Sequence, residues 1–244
     1  MRVVIFGGNS AIGAALCAHY LAQQAQVTVF SRTPLPDTLQ HTLEHAALDC
    51  VLYQTVALEQ ADSALDARIT AVFSQPVDLV FCCIGMLHDS NLQPEKSLRQ
   101  LSAAGLRHSL EINTILPALW LHKIWPLLAG SPQVKLCWMS AKVGSITDNQ
   151  SGGWYSYRTS KAALNMLVRT ASIELKRQLP AAILVALHPG TTDTAMSKPF
   201  QRNLPAGQLQ QPVDTARRLA ATVAALTPTQ TGALLHWDGT VLPY

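Results

Sequence analysis

The chain has 244 residues, 48% hydrophobic and 14% charged, a composition that buries a large core and excludes a disordered chain. Its net charge of +3 comes from scattered basic residues, so no stripe suited to nucleic acid is present and none is expected as partner. Five cysteines without CxxC or HExxH spacing suit a reducing compartment and no metal site, and the absence of an apolar run of about 18 residues predicts a cytoplasmic protein without membrane contact.

Apolar runs of strand length alternate with segments of helical period. "VVIF" leads into the glycine-rich turn "GGNSAIG", residues 7 to 13, and then into a helix through "AIGAALCAHYLAQQ". Glycines there allow a tight turn and a close approach of backbone N–H groups to a pyrophosphate at the helix N-terminus. "QVTVF" is a second strand, ending in Ser31 and Arg32 where an acid would select the unphosphorylated cofactor; the arginine predicts NADP in preference to NAD. A helical or irregular stretch follows near residues 35 to 48, then a weak strand near "VLYQTV", a helix from about Asp62, and the strand "VDLVFCC".

A long helical stretch from about Leu98 to Leu128 precedes the strand "VKLCWM", and "GGWYSYRTSKAALNMLVR" opens the next helix. Tyr157 and Lys161 stand one turn apart on one face of it, so both heads reach the same small volume. Composition alone gives roughly 0.14 such pairs by chance, so the pair gains meaning only from its place in the chain. "AILVAL", a helix near residues 212 to 226 and "GALLHW" complete the pattern. Strands apolar on both faces and separated by helices predict a single α/β domain over 1–244, a Rossmann-type doubly wound parallel sheet with helices on both faces.

These ordered motifs resemble the short-chain dehydrogenase/reductase family across essentially the whole chain. The carriers are "FGGNSAIG", "CCIG" at residues 82 to 85, Asn113 in "EINTILPALW", "YRTSK", and "HPGTTDT" at residues 188 to 194. "SAKVGSITDN", "GGWYSYRTSKAALN" and "HPGTTDTAMSKPF" are most similar to the branch with C-factor-like and sniffer-like carbonyl reductases. The resemblance implies an NADP(H)-dependent oxidoreductase that interconverts a small-molecule carbonyl and its alcohol by hydride transfer. It implies a homodimer or homotetramer built on the long crossover helices, and a substrate lid at about 194–210.

Roles carry over residue by residue. Tyr157 is the implied acid–base group. Lys161 tunes it and binds the nicotinamide ribose, and Asn113 holds a water that completes a proton relay. An unperturbed tyrosine titrates near pH ~10, so a neighbouring cation is expected to lower it. Gly7, Asn9, Ser10, Ile12, Gly13, Ser31, Arg32, Ile84 and Gly85 are the implied cofactor contacts, joined by Tyr157, Lys161, Pro189, Gly190, Thr192 and Thr194.

Several positions depart from the family pattern. The family serine falls on Ala141, leaving Ser140, Ser145 or neither to supply an oxyanion donor; Ser140 is the favoured candidate. Phe6 replaces a threonine, Ala11 a glycine, and Cys82 and Cys83 the paired asparagines. These departures motivate an alternative, a dinucleotide-binding regulatory or signalling protein of the same fold with little turnover. His188 reads as a hydrogen-bonded strand-end histidine, and Trp120, Trp125 and Trp138 as core or interface aromatics.

Overall fold

A computed structural model describes residues 1–40, 47–60, 62–90 and 92–244. Strands β1 (Arg2–Phe6), β2 (Gln26–Ser31), β3 (Leu48–Leu52), β4 (Leu79–Cys82), β5 (Lys135–Met139), β6 (Ile183–His188), β9 (Leu234–His236) and β10 (Val241–Leu242) form one eight-stranded sheet. Its order is β10-β9-β6-β5-β4-β1-β2-β3. All pairings are parallel except β9 with β10, an antiparallel edge that the predicted all-parallel sheet lacked. β7 (Thr191–Thr192) and β8 (Leu209–Gln210) form a small separate pair.

Alternation along the strands explains the layers, because successive side chains point to opposite faces. Val4, Phe6, Val80, Leu136, Trp138 and Leu184 pack on one side against α4 (Ser63–Val72), α6 (Leu116–Ile124) and α7 (Tyr155–Gln178). Val3, Ile5, Val29, Phe81, Met139 and Val185 pack on the other against α1 (Ala11–Ala22) and α8 (Pro212–Ala225). Both faces of the sheet are therefore dry, as the continuous apolar runs require. Trp120, fully buried, stacks on Phe6 with centroids 4.1 Å apart, so it is a core aromatic, as is Trp138. Among the described residues the other α-helices are α2 (Asp37–Gln40), α3 (Val56–Glu59) and α5 (Ala103–Leu110).

Three expectations shift. The third strand lies at Leu48–Leu52 rather than along "VLYQTV"; from Thr55 the chain already turns into α3. Part of the stretch near residues 35 to 48 falls at 41–46, outside the described residues. The long helix expected from Leu98 to Leu128 is broken into a short 3₁₀ turn, α5, a π-helical turn Glu111–Ile115, and α6. That π turn carries Asn113, and single π turns of this kind recur at functional sites.

The strand order reverses between β1 and β4, which places a crevice beyond their carboxyl ends. The glycine turn after β1, the loop after β4 and the start of α7 all reach that crevice.

Candidate active site

The β1–α1 turn is built for close backbone approach. Gly7 has φ 77°, and a Cβ on Gly13 would stand 2.6 Å from the Gly7 carbonyl oxygen and 2.8 Å from Gly8 Cα. The Ser10 hydroxyl caps α1, accepting from Gly13 N at 3.1 Å and donating to Gly7 O at 2.8 Å. An uncluttered turn at a helix N-terminus fits the pyrophosphate of a dinucleotide, since N–H groups and the helix dipole favour an anion there. Asn9 Nδ2 donates to Thr33 Oγ1 at 2.5 Å, which ties this turn to the end of β2.

A cavity of about 350 Å³ opens from the turn into the crevice. Asn9, Ser10, Ile12, Ile84, Gly85, Ser140, Tyr157, Lys161, Pro189 and Thr194 line it together with Cys83, Met139 and Met196. Residues scattered from 9 to 196 in sequence thus converge on one volume.

Lys161 is buried, at 3% exposure, and its Nζ donates to the Met139 carbonyl at 3.0 Å. Asn113, fully buried, is clasped at both ends of its amide: Oδ1 accepts from Met86 N at 2.8 Å, while Nδ2 donates to Met86 O at 2.8 Å and to Ser160 Oγ at 3.0 Å. A Cβ on Gly85 would lie 3.1 Å from Lys161 Nζ and 3.3 Å from Asn113 Oδ1, so a glycine leaves both groups facing one space. α7 approaches the β5 loop equally closely; a Cβ on Gly144 would lie 2.9 Å from the backbone of Lys161.

The electrostatics differ from the expectation in one respect. Burial pushes the Tyr157 phenol up rather than down, and pulls the Lys161 ammonium down to about 8. Lys161 Nζ lies 5.9 Å from the Tyr157 ring centroid, and desolvation outweighs its charge. Burial thus opposes both charges, and the phenol keeps its proton at neutral pH.

The oxyanion candidates separate. Ser140 follows β5 on the Trp138 face, toward α7, and its hydroxyl donates to Asn165 Oδ1 at 2.6 Å. Ser145 is buried away from the cavity lining, accepting from Asp148 N at 3.1 Å. Ala141 packs its methyl against Tyr157 and Leu87. Asn165 Nδ2 is buried without a hydrogen-bond partner among the described residues, a point that sequence reasoning had no means of finding.

Other expected contacts lie outside the cavity lining. The Ser31 hydroxyl donates to Thr33 O at 2.6 Å, while exposed Arg32 joins Tyr53, Gln54 and Arg68 around a second hollow of about 540 Å³. The Thr192 hydroxyl turns to Thr215 on α8 at 2.9 Å. Gly190, with φ 78°, makes room for the Trp237 ring, which a Cβ would approach to 2.8 Å. His188 has a buried Nδ1 with no partner among the described residues, so the expected hydrogen bond is missing there, and burial beside His236 pulls it down to about 3.

Sequence reasoning also missed Glu95. This carboxylate is 4% exposed and accepts from the Ser156 backbone N at 3.2 Å and from the Ser156 hydroxyl, which fixes the first turn of α7 just before Tyr157. No motif marks it, because it reaches α7 from 61 residues away.

The description "short chain dehydrogenase" matches residues 1–205. The chain belongs to the short-chain dehydrogenase family. It is 35% identical over 139 residues to 1-hydroxy-2-glutathionyl-2-methyl-3-butene dehydrogenase of Rhodococcus sp. (strain AD45), a match spanning 57% of this chain and 58% of that protein. It is 30% identical over 148 residues to the C-signal protein of Myxococcus xanthus, covering 61% and 84% respectively. Sniffer carbonyl reductase of D. melanogaster shares the fold at TM-score 0.85 and 23% identity, over 100% of this chain and 99% of that one. An NADPH-bound carbonyl reductase from chicken fatty liver does so at TM-score 0.82 and 24% identity, over 100% and 98%. The chain thus shares the family's fold and is similar to the C-factor-like and sniffer-like branch. No helix among the described residues is long and apolar enough to cross a membrane.

Proposed function

We propose that this short-chain dehydrogenase reduces a ketone or aldehyde with NADPH, or oxidises the matching alcohol with NADP. One observation carries the reading: Tyr157, Lys161 and the turn residues Asn9, Ser10 and Ile12 border the same 350 Å³ cavity at the switch point of the sheet. When bound, the dinucleotide supplies or accepts the hydride. The chain's own groups then manage binding and the proton.

Gly7, Gly13 and the α1 N-terminus hold the pyrophosphate, Arg32 the 2′-phosphate, and Ile84, Gly85, Pro189 and Thr194 bracket the nicotinamide end. Lys161 binds the ribose and keeps a positive charge beside the phenol. Tyr157 donates its proton to the oxygen of the reduced carbonyl; that oxygen is far more basic than a phenolate, so a raised phenol still transfers. Asn113 holds the π turn and the loop after β4 in place, and with Lys161 it faces the space through which the proton is replaced.

Ser140 supplies the oxyanion donor when the Asn165 amide is turned end for end. Nδ2, unpartnered as it stands, then donates to the Ser140 oxygen, and the hydroxyl proton is released toward the substrate. Residues 194–210 act as the substrate lid. A homodimer or homotetramer in the cytoplasm is the assembly this reading includes.

The test is Tyr157→Phe. NADPH-dependent reduction across a panel of small ketones and aldehydes falls about 100-fold or more while NADPH binding by calorimetry stays within a few-fold. A variant that keeps the wild-type rate overturns the reading. Ala141, where the family has its serine, favours a second one: a protein that binds NADP(H) for regulation with little turnover. Tight NADPH binding with no reduction of any panel member selects that alternative.

A further inference from the structure

The lid is closed at a narrow neck. β7 pairs with β8, and Asp193 N donates to Gln210 O at 2.8 Å, which brings the two ends of residues 193–208 together. Beyond the neck the lid holds its own shape. The Ser197 hydroxyl donates to the Thr192 carbonyl at 2.5 Å, and the Gln201 amide donates to Asp193 Oδ1 at 2.8 Å and to Ser197 Oγ at 2.9 Å. Lys198 N donates to Thr194 O at 3.0 Å, and Phe200 N to Ser197 O at 2.8 Å. These bonds join lid residues to one another or to the neck, so a swinging lid carries them along unbroken.

From outside the neck, His88 reaches the lid. Its Nε2 donates to the Met196 carbonyl at 3.0 Å, and its ring stands edge-on to Phe200 at 5.8 Å and 66°. A carbonyl only accepts, so Nε2 carries the proton. Phe200 also meets the Trp154 ring edge-on at 5.0 Å and 62°. Both seats are firmly held. His88 stands on the loop after β4 between two anchors: Met86, whose backbone N and O are clasped by Asn113, and Asp89, whose Oδ2 pairs with His108 Nε2 on α5 at 2.8 Å. Trp154 has a φ of 52°, strained for a bulky side chain, and its N donates to Glu95 O at 2.5 Å.

The carbonyl that His88 holds belongs to the cavity wall, because Met196 lines the cavity with Thr194 and Ala195. We propose that His88 is a positioning residue: it latches the lid shut over the cavity, and breaking its bond to Met196 lets residues 193–208 swing open as a unit on the β7–β8 neck. For what passes beneath the lid, the inference rests on the dinucleotide reading; the latch itself does not. Protein atoms alone form the latch, so it resists entry and exit of the dinucleotide alike. Its loss speeds both, and rates that rise by the same factor leave the affinity unchanged.

Two measurements test this in wild type, His88→Ala and His88→Gln; the glutamine amide offers the same carbonyl a donor. The first needs no cofactor. Cys83 lines the cavity together with Met196, whereas Cys137 is fully buried within the sheet. Mass spectrometry of iodoacetamide labelling at the two thiols therefore separates opening of the lid from loosening of the core. Cys83 is expected to label about five- to tenfold faster in His88→Ala, the scale of one net hydrogen bond, with Cys137 unchanged and His88→Gln near wild type. The second is stopped-flow NADPH binding. In His88→Ala association and dissociation both quicken about five- to tenfold, while Kd stays within about twofold.

Cys83 labelling that His88→Ala leaves unchanged, or that rises in step with Cys137, overturns the latch. So does an NADPH affinity that weakens through dissociation alone, since His88 would then act on the bound dinucleotide rather than on the lid. Faster labelling confined to Cys83, with no NADPH binding by wild type, supports the latch and overturns the dinucleotide reading. Unchanged labelling together with no NADPH binding overturns both.

Discussion

On the dinucleotide side, the cavity is bordered by the turn from β1 into α1, whereas the facing side, with Ser140 and Thr194 to Met196, is carried by loops. The first is dictated locally: Gly13 has no room for a Cβ, Ser10 caps α1, and Gly7 holds a positive φ. The second depends on partners far away in sequence, with Glu95 holding Trp154 and Ser156, and Asn165 holding Ser140. A wall of the first kind recognises a common cofactor, and a wall of the second kind can be rebuilt for a particular substrate without disturbing it.

The sharpest break in that contrast is at Ser140, a side chain whose use depends on the orientation of one amide. Ser140→Ala and Asn165→Asp are each expected to lower kcat about 100-fold, the scale of losing one oxyanion donor. The aspartate accepts but cannot donate, so it holds the serine proton permanently. NADPH affinity changes by less than a few-fold, because the dinucleotide wall is untouched. Steady-state kinetics with parallel binding measurements check both; a Ser140→Ala enzyme within threefold of wild type removes the serine from the mechanism.

The same contrast explains what was legible in the sequence. The strands, the glycine turn, Tyr157 with Lys161, and Asn113 were readable because backbone geometry or one helical turn imposes their residue types and spacing. Arg32, read as a cofactor selector, borders a hollow of its own rather than the main cavity. Gly190 and Thr192 were read as nicotinamide contacts, yet the first accommodates Trp237 and the second bonds Thr215. Their signals, a turn glycine and a small hydroxyl, are the same for packing as for binding. Glu95, Asn165 and the strained Trp154 carried no signal, since tertiary partners alone give them meaning. The π turn at Asn113 was invisible within a continuous helical period, and β10 is too short at two residues to register as a strand.

Glu95→Gln gives the next effect in size. The amide still accepts from Ser156 N but no longer offers charge-assisted bonds at the positive end of α7. A loss of about 1–2 kcal/mol is expected, or a Tm drop of roughly 2–8 °C for a chain of this length. Because the first turn of α7 carries Tyr157, kcat falls several-fold as well. Scanning calorimetry and kinetics on one preparation check the pair; an unchanged Tm makes the Glu95 contact dispensable and detaches the loop wall from α7.

A purely pH-dependent effect is expected at the seam between the two walls, at His188. Its ring is buried beside His236, with Lys142 also near enough to oppose a positive charge, and these influences pull it from its ordinary 6.5 down to about 3. The group on the far side is the Asp238 carboxylate, 3.2 Å from His236 Nδ1, which pairs with His236 rather than with His188. A histidine depressed in the folded state contributes stability that is complete above its unfolded value and is lost as pH falls toward the folded one, because the unfolded chain takes up the proton first. Tm therefore declines between pH 6.5 and 3 in wild type, and His188→Asn, which has no proton to take up, declines less over that window. Equal slopes for the two proteins would mean that His188 takes up its proton over the same pH range in the folded chain as in the unfolded one.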